Sequence, residues 1–213
     1  MGTLESVIEF YRERQDQVLE LTWNHVELSL LALALATLIF VPLGILFARW
    51  SKGGSGIVGA IASVRVIPSL ALIFLFYPLL GLGYQPALLA LTILAGPPLI
   101  LNTYAGMRQV DASILEAARG VGMNPAQVFL KVHFPLALPV IVAGMRSASV
   151  EIFASATLAS FIGVQTLGRY IITGISLLDT TYLLAGGILI VLLVLIAELV
   201  LGGVERLVRP PVA

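Results

Sequence analysis

The chain has 213 residues, 59% hydrophobic and only 11% charged, with no cysteine and a formal net charge of zero. So few charges exclude an ordinary water-soluble domain, in which about a quarter of residues carry one. The lack of cysteine excludes disulfides, thiolate catalysis and cysteine-held metal or iron–sulfur centres, and the zero net charge argues against a nucleic-acid partner.

Residues 1–20 are too polar for a secretory signal, so the first apolar block is expected to direct insertion and to be retained. Residues 4–21 (within an N-terminal segment, 1–22) read as an amphipathic helix. Leu4, Val7, Ile8, Tyr11, Val18 and Leu21 share one side, and acids and arginines alternate on the other. Such a helix lies on a membrane surface; a solvated leader is the alternative.

Apolar blocks of about twenty residues follow, the length that crosses a roughly 30 Å hydrocarbon layer as a helix. The first runs Leu28 to Ala48 and stops at Arg49-Trp50-Ser51-Lys52; Gly53 to Gly56 form a flexible turn. The second begins near Ile57, carries Arg65 and Pro68, and reaches about Leu82. After a Gly/Pro turn at 81–86 comes Ala87 to Ala105, where Pro97-Pro98 predicts a kink. Arg108 to Phe134 is the one long polar insertion. A fourth block covers Val140 to Phe161, 163–181 is mixed, and the last runs Tyr182 to Leu201. The fold class is thus an all-α integral membrane protein, one transmembrane domain over 1–213, with no strand-period alternation.

Five crossings put the termini on opposite sides, and the positive-inside rule chooses between them. With the N-terminus outside, Arg49, Lys52, Arg108, Arg119, Lys131, Arg206 and Arg209 fall inside, and only Arg12, Arg14 and Arg169 outside. The expectation is N-terminus out, C-terminus cytoplasmic, and a cytoplasmic insertion.

That insertion, 108–135, reads as two short helices with a glycine corner. Ser113 and Glu116 have capping-box spacing, Gly120 and Gly122 end the first helix, and Asn124-Pro125 starts the second, which offers Val128, Phe129 and Val132. A hairpin of this shape suits docking into a partner.

Glu116-Ala117-Ala118, Gly122 and Val132-x-Phe134-Pro135, in this spacing, resemble the EAA signature of bacterial ABC importer permeases. Val132 and Phe134 are conservative departures from the family's Ile-x-Leu-Pro. Further stretches recur in order along almost the whole chain: Pro42-Leu-Gly, Ile67-Pro-Ser-Leu-Ala-Leu, Asn102-Thr-Tyr-x-Gly106 and Phe134-Pro-Leu-Ala-Leu-Pro. Together they look like the permeases of osmoprotectant (glycine betaine, carnitine, choline) importers. Two positions depart from that pattern: Gly163-Val-Gln-Thr-Leu-Gly168 replaces a Gly-rich turn, and His133 stands where an acid is common.

The resemblance implies the five-helix core of the type I ABC importer permease and a bacterial or archaeal cytoplasmic-membrane location. It implies ABC ATPase subunits, a second permease copy or paralogue and an extracytoplasmic solute-binding protein as partners, besides membrane lipid. It also implies Glu116, Ala117, Ala118 and Gly122, with Val128 and Phe129, as contacts that couple to the ATPase. An amino acid or other small amine is the alternative cargo. No phosphate-binding glycine loop occurs, so no cofactor is expected on this chain and ATP is left to a separate subunit.

Within the spans, Gly144, Ser147, Glu151 and Ser155 form a small, polar stripe at helical spacing. An ionisable residue inside a membrane is a candidate for function. Glu151, with Ser147, Ser155 and Asn102, is therefore expected along a solute path, where its carboxylate would offset a quaternary ammonium. Alternatively, Glu151 pairs with Arg65 or Arg146. Glu198 reads as a structural partner of a neighbouring helix or an arginine. Tyr77, Tyr84, Tyr104, Tyr170 and Tyr182 read as interfacial anchors. A proton-coupled carrier using Glu151 and Glu198 would leave the hairpin signature unexplained, and no convergent catalytic set supports an intramembrane enzyme.

Overall fold

The computed structural model describes residues 3–50 and 53–209, and all their regular structure is helical. Helix α1 spans Thr3–Glu13 and α2 spans Gln15–Arg49. The amphipathic stretch is therefore not one helix. It breaks at Arg14 (φ −122°, ψ 32°), and its second half opens a 35-residue helix that includes the first apolar block.

The buried side of α1 also differs from the expected stripe. Val7, Phe10 and Leu21 pack with Leu167, Tyr170 and Ala185, while Leu4 and Ile8 stay exposed. The cause is tertiary: α1 folds against the helices that follow residue 167. Phe10 meets Tyr170 and Tyr182 edge-on, with ring centroids 5.1 and 4.9 Å away. The Arg14 guanidinium lies 5.0 Å from the Phe10 ring and 5.1 Å from that of Tyr182. Tyr170 is consequently a core residue rather than an interfacial anchor, and this aromatic cluster already holds a cation of the chain's own.

The second apolar block is broken. Helix α3, Gly54–Ala62, tightens into a 3-10 turn, Ser63–Val66, and the chain restarts as α4, Ser69–Leu75, and α5, Tyr77–Leu80. The two halves meet at 97°. Pro68 explains the break: its ring disfavours helical geometry at the preceding residue, and Ile67 is extended (φ −73°, ψ 122°).

The third block is α6, Tyr84–Leu94, and α7, Gly96–Gln109, a run of 26 residues in all. The interruption falls at Ala95 and not at the proline pair. Pro97 and Pro98 occupy the first turn of α7, where no backbone N–H is needed, and both are buried.

Helix α8, Ala112–Gly120, precedes a single 38-residue run. That run comprises α9, Pro125–Val128, a π-helical segment, Phe129–His133, α10, Phe134–Ser155, and a 3-10 segment, Ala156–Ile162. Pro135 therefore does not end the hairpin. The wider π turn immediately before it makes room for the proline ring, and the helix continues into the fourth block. Helix α11, Gly168–Leu177, and α12, Thr180–Val208, complete the chain.

By length and composition, four helical runs can cross a membrane: Gln15–Arg49, Tyr84–Gln109, Pro125–Ile162 and Thr180–Val208. The bent pair Gly54–Val66 and Ser69–Leu80 makes a fifth if it counts as one crossing. Close approach between helices rests on small residues. A Cβ on Gly44 would stand 2.7 Å from the Thr103 Cβ, and one on Gly144 2.7 Å from the Asn102 Cβ, so α2, α7 and α10 pack nearly backbone to backbone. Leu28, Ala32, Ala36, Leu91, Leu99, Ala148 and Ile152 fill the centre. Buried His25 donates through Nε2 to the Phe153 carbonyl at 2.9 Å, pinning α2 to α10.

The bundle has two distinct ends. At one, Arg49 at the foot of α2 stacks 5.0 Å from the Phe129 ring, and His133 Nε2 donates to the Met107 carbonyl at 2.8 Å. At the other, α1 and the Gly163–Gly168 turn meet the start of α12. The turn is knotted by Thr166, whose hydroxyl bonds Ser160 Oγ at 2.8 Å and donates to the Ala156 carbonyl at 3.1 Å.

Candidate functional site

The hairpin's corner follows from four residues. After Gly120 the chain passes through Val121 to Gly122, whose φ of +87° lies in the left-handed region that favours glycine. The Gly122 N–H reaches the Arg119 carbonyl at 2.9 Å and the Met123 N–H the Ala118 carbonyl at 3.2 Å, the two bonds of a Schellman closure. Asn124 then caps the next helix. Its side chain accepts from the Gln127 N–H at 2.9 Å, and Gln127 Oε1 accepts from the Asn124 N–H at 2.9 Å. Gln127 was not singled out from the sequence, although Asn-Pro-x-Gln is legible as a capping box.

The first helix is capped otherwise than expected. Asp111, not Ser113, is the N-cap, accepting from the Ser113 N–H at 2.8 Å. Ser113 and Glu116 sit inside the first turns, so the capping box predicted between them does not form. Hydrogen bonds from Ser113 backbone and side chain hold the Asp111 carboxyl below its usual range. The cap therefore stays charged at neutral pH and is lost only as pH falls through that lowered value.

Replacing Asn124 by alanine removes about 1 kcal/mol of cap. Amide exchange across residues 125–128, read by mass spectrometry, should accelerate by about fivefold. Unchanged exchange there would show that the cap does not hold the corner.

Within the hairpin the expected contact residues divide in two. Glu116, Ala117 and Gly122 are exposed. Ala118 and Val128 are turned into the hairpin's own interior, and half-buried Phe129 lies under Arg49 and beside Phe134, so these three support its shape. Exposed Ile114, Val121 and Leu130 add apolar surface that the sequence reading did not single out. Three apolar residues bare to solvent on a polar segment are the signal that could have found them.

The polar stripe of α10 is not a continuous lining. Gly144 is packed under Asn102, whose Nδ2 donates to the Pro98 carbonyl at 2.8 Å. Ser147 is exposed but donates to its own helix at Ala143, 3.1 Å, and Ser155 is buried. Glu151 is half-buried and has no ion-pair partner among the described residues, although the charge of Arg65 acts on it.

Arg146 is committed elsewhere, so it is not the partner of Glu151. It forms an ion pair with Glu198 and another, 3.1 Å, with Glu205, which Arg209 reaches at 2.5 Å. Glu198 thus has its arginine. The sequence reading missed Glu205, which is only 7% exposed and sits seven residues, about two turns, beyond Glu198 on the same face of α12. These ion pairs clamp α12 to α10 and border a groove that Ser147 also lines.

A family model described as a binding-protein-dependent transport system inner membrane component matches residues 22–210. The chain is 38% identical over 207 residues to the choline transport system permease protein OpuBB of Bacillus subtilis (strain 168), covering 97% of this chain and 95% of that protein. It is 36% identical, with the same coverage, to the glycine betaine/carnitine/choline transport system permease protein OpuCB of the same organism. In fold it is similar to a chain of the inward-facing MetNI methionine ABC transporter. There the TM-score is 0.80 at 20% identity, over 93% of this chain and 99% of that one.

Proposed function

Since the chain belongs to the binding-protein-dependent transport system inner membrane component family, we propose that it is the permease through which an ATP-driven importer takes up quaternary-ammonium compatible solutes such as glycine betaine, carnitine or choline. It is a multi-pass inner-membrane permease subunit and not itself an enzyme. The observation that carries the choice of solute is similarity along nearly the full chain to permeases named for those solutes.

The assembly pairs this chain with a second permease, a copy or a paralogue, and with ATPase subunits on the hairpin side. A solute-binding protein delivers cargo at the opposite end. The bent pair counts as a crossing, giving five, with the N-terminus outside and the C-terminus in the cytoplasm. The exposed face of the 108–135 hairpin, with Glu116, Ala117 and Gly122 and the apolar Ile114, Val121 and Leu130, seats in the ATPase. Closure of the ATPase pair on ATP moves the hairpin, and the helices rock between inward- and outward-open states around the path.

The test is uptake of labelled glycine betaine by vesicles holding this chain, its ATPase and its binding protein. Accumulation that requires internal ATP is expected. Accumulation driven by a proton gradient without ATP would overturn the reading. If glycine betaine is not accumulated but the ATPase still binds, the permease stands and the cargo becomes another amine.

A further inference from the structure

The break between α3 and α4 opens the backbone of a span candidate on an exposed face. Val66 is 84% exposed, Arg65 and Pro68 are exposed beside it, and the carbonyl oxygens of Arg65, Val66 and Ile67 have no backbone partner among the described residues. Bare carbonyls and a guanidinium do not face hydrocarbon; irregular backbone at membrane depth lines water or is covered by protein. Arg65 forms no ion pair among the described residues.

Glu151, likewise without an ion pair among the described residues, is a carboxylate on which the Arg65 charge acts. Topology puts the two at a similar depth. Arg65 is about 18 Å along its helix from Gly53, and Glu151 about 24 Å along α10 from Pro135. Gly54 abuts the Phe47 carbonyl and Ala48 packs in one cluster with Ala137, so Gly53 and Pro135 lie near one level of the bundle. Two charges of opposite sign thus share a level without closing on each other. The Arg146–Glu198–Glu205–Arg209 set differs, since there the charges already neutralise one another.

We propose that Arg65, Glu151 and the bare carbonyls at the Ile67 break form a solute site that grips a zwitterion by both ends. Glu151 and the carbonyl dipoles face the quaternary ammonium, and the Arg65 guanidinium takes the carboxylate through paired hydrogen bonds. The inference rests on the importer reading above and adds selectivity to it. A betaine satisfies both charges, whereas choline offers only the cation and leaves Arg65 without a partner. The permease then sorts carboxylate-bearing solutes from amino alcohols after the binding protein has delivered them.

The experiment compares uptake of labelled glycine betaine and labelled choline by the complete transporter carrying R65Q, R65K or E151Q. R65Q should lower glycine betaine uptake relative to choline by about tenfold or more, the worth of a charge-assisted hydrogen bond. R65K should give an intermediate ratio, and E151Q should lower both solutes. An unchanged ratio in R65Q, or equal loss of both solutes, overturns the site, since a merely structural role affects the two alike. If the unsubstituted transporter accumulates neither solute, the choice of cargo falls and takes the site with it, while the permease stands if the ATPase still binds. If it accumulates both and R65Q leaves their ratio unchanged, the site alone falls. Uptake confined to choline also overturns it. With glycine betaine alone, the comparison becomes R65Q against R65K, and equal loss in both counts against the site.

Discussion

Valine at position 122 is expected to abolish ATP-driven uptake, by at least about tenfold, while the chain still inserts and still binds its ATPase. Nothing lies within 4 Å of a Cβ built on Gly122, so the substitution meets no steric obstacle. Its entire effect comes from the backbone, because φ is +87° there and a β-branched residue resists the left-handed region. The penalty, about 1–2 kcal/mol, falls on one corner. That corner sets the angle between α8 and the helix begun by Asn124, and hence the shape offered to the ATPase. Asparagine tolerates the left-handed region better, so Gly122→Asn should keep much of the transport that Gly122→Val loses. Uptake, ATPase rate and co-purification of the ATPase, measured on both variants, separate the cases. Normal uptake in Gly122→Val would remove the corner from the coupling mechanism.

Gly168→Ala should destabilise the whole chain. A Cβ there would collide with the Thr157 carbonyl oxygen and stand 2.7 Å from its carbon. Both are backbone atoms, held in place because the Thr166 hydroxyl ties the turn to Ala156 and Ser160. Without a flexible side chain to give way, the 3-10 segment and α11 must separate, and overpacking of this sort costs about 1–3 kcal/mol. The midpoint of thermal unfolding in detergent should fall by several degrees, about 2–4 °C per kcal/mol for a chain of this length. An unchanged midpoint would mean that the close approach at this turn contributes nothing to stability. The residues Gly163-Val-Gln-Thr-Leu-Gly168, which depart from the pattern of the resembled permeases, thus form a cross-linked turn of their own, and the knot is invisible until Thr166 is seen to reach Ala156.

Elements fixed by local chemistry were the most legible in the sequence. Apolar blocks as long as a bilayer is thick, the Asn124-Pro125 helix start and the Gly122 corner all follow from rules that act within a few residues. The bend at Ile67 obeys an equally local rule, the restriction a proline places on its predecessor, yet the apolar run through it reads as one span. Other features depended on distant partners. Which face of α1 is buried depends on Tyr170 and Tyr182, and the tie between Arg146 and Glu205 joins two long helices. At the hairpin, Asp111 took the cap because the helix starts earlier than Ser113 and Glu116 suggest. At the stripe of α10, helical spacing put Gly144 and Glu151 on one side, but Asn102 fills the space over Gly144. One end of the stripe is therefore a helix contact and Ser155 at the other is buried, while Glu151 between them is half-buried and feels the charge of Arg65.

The unbroken run from Pro125 to Ile162 has a mechanical consequence. At 1.5 Å per residue its 38 residues make a rod about 57 Å long, with one end in the hairpin and the other at the Thr166 knot. The helix continues through the π turn at Phe129–His133 and through Pro135 and Pro139 without a break in the run. The chain thereby acquires a lever. Pivoting near its middle, such a rod carries each tip about 5 Å for every 10° of tilt, so displacement applied at one surface of the membrane reappears, reversed in direction, at the other.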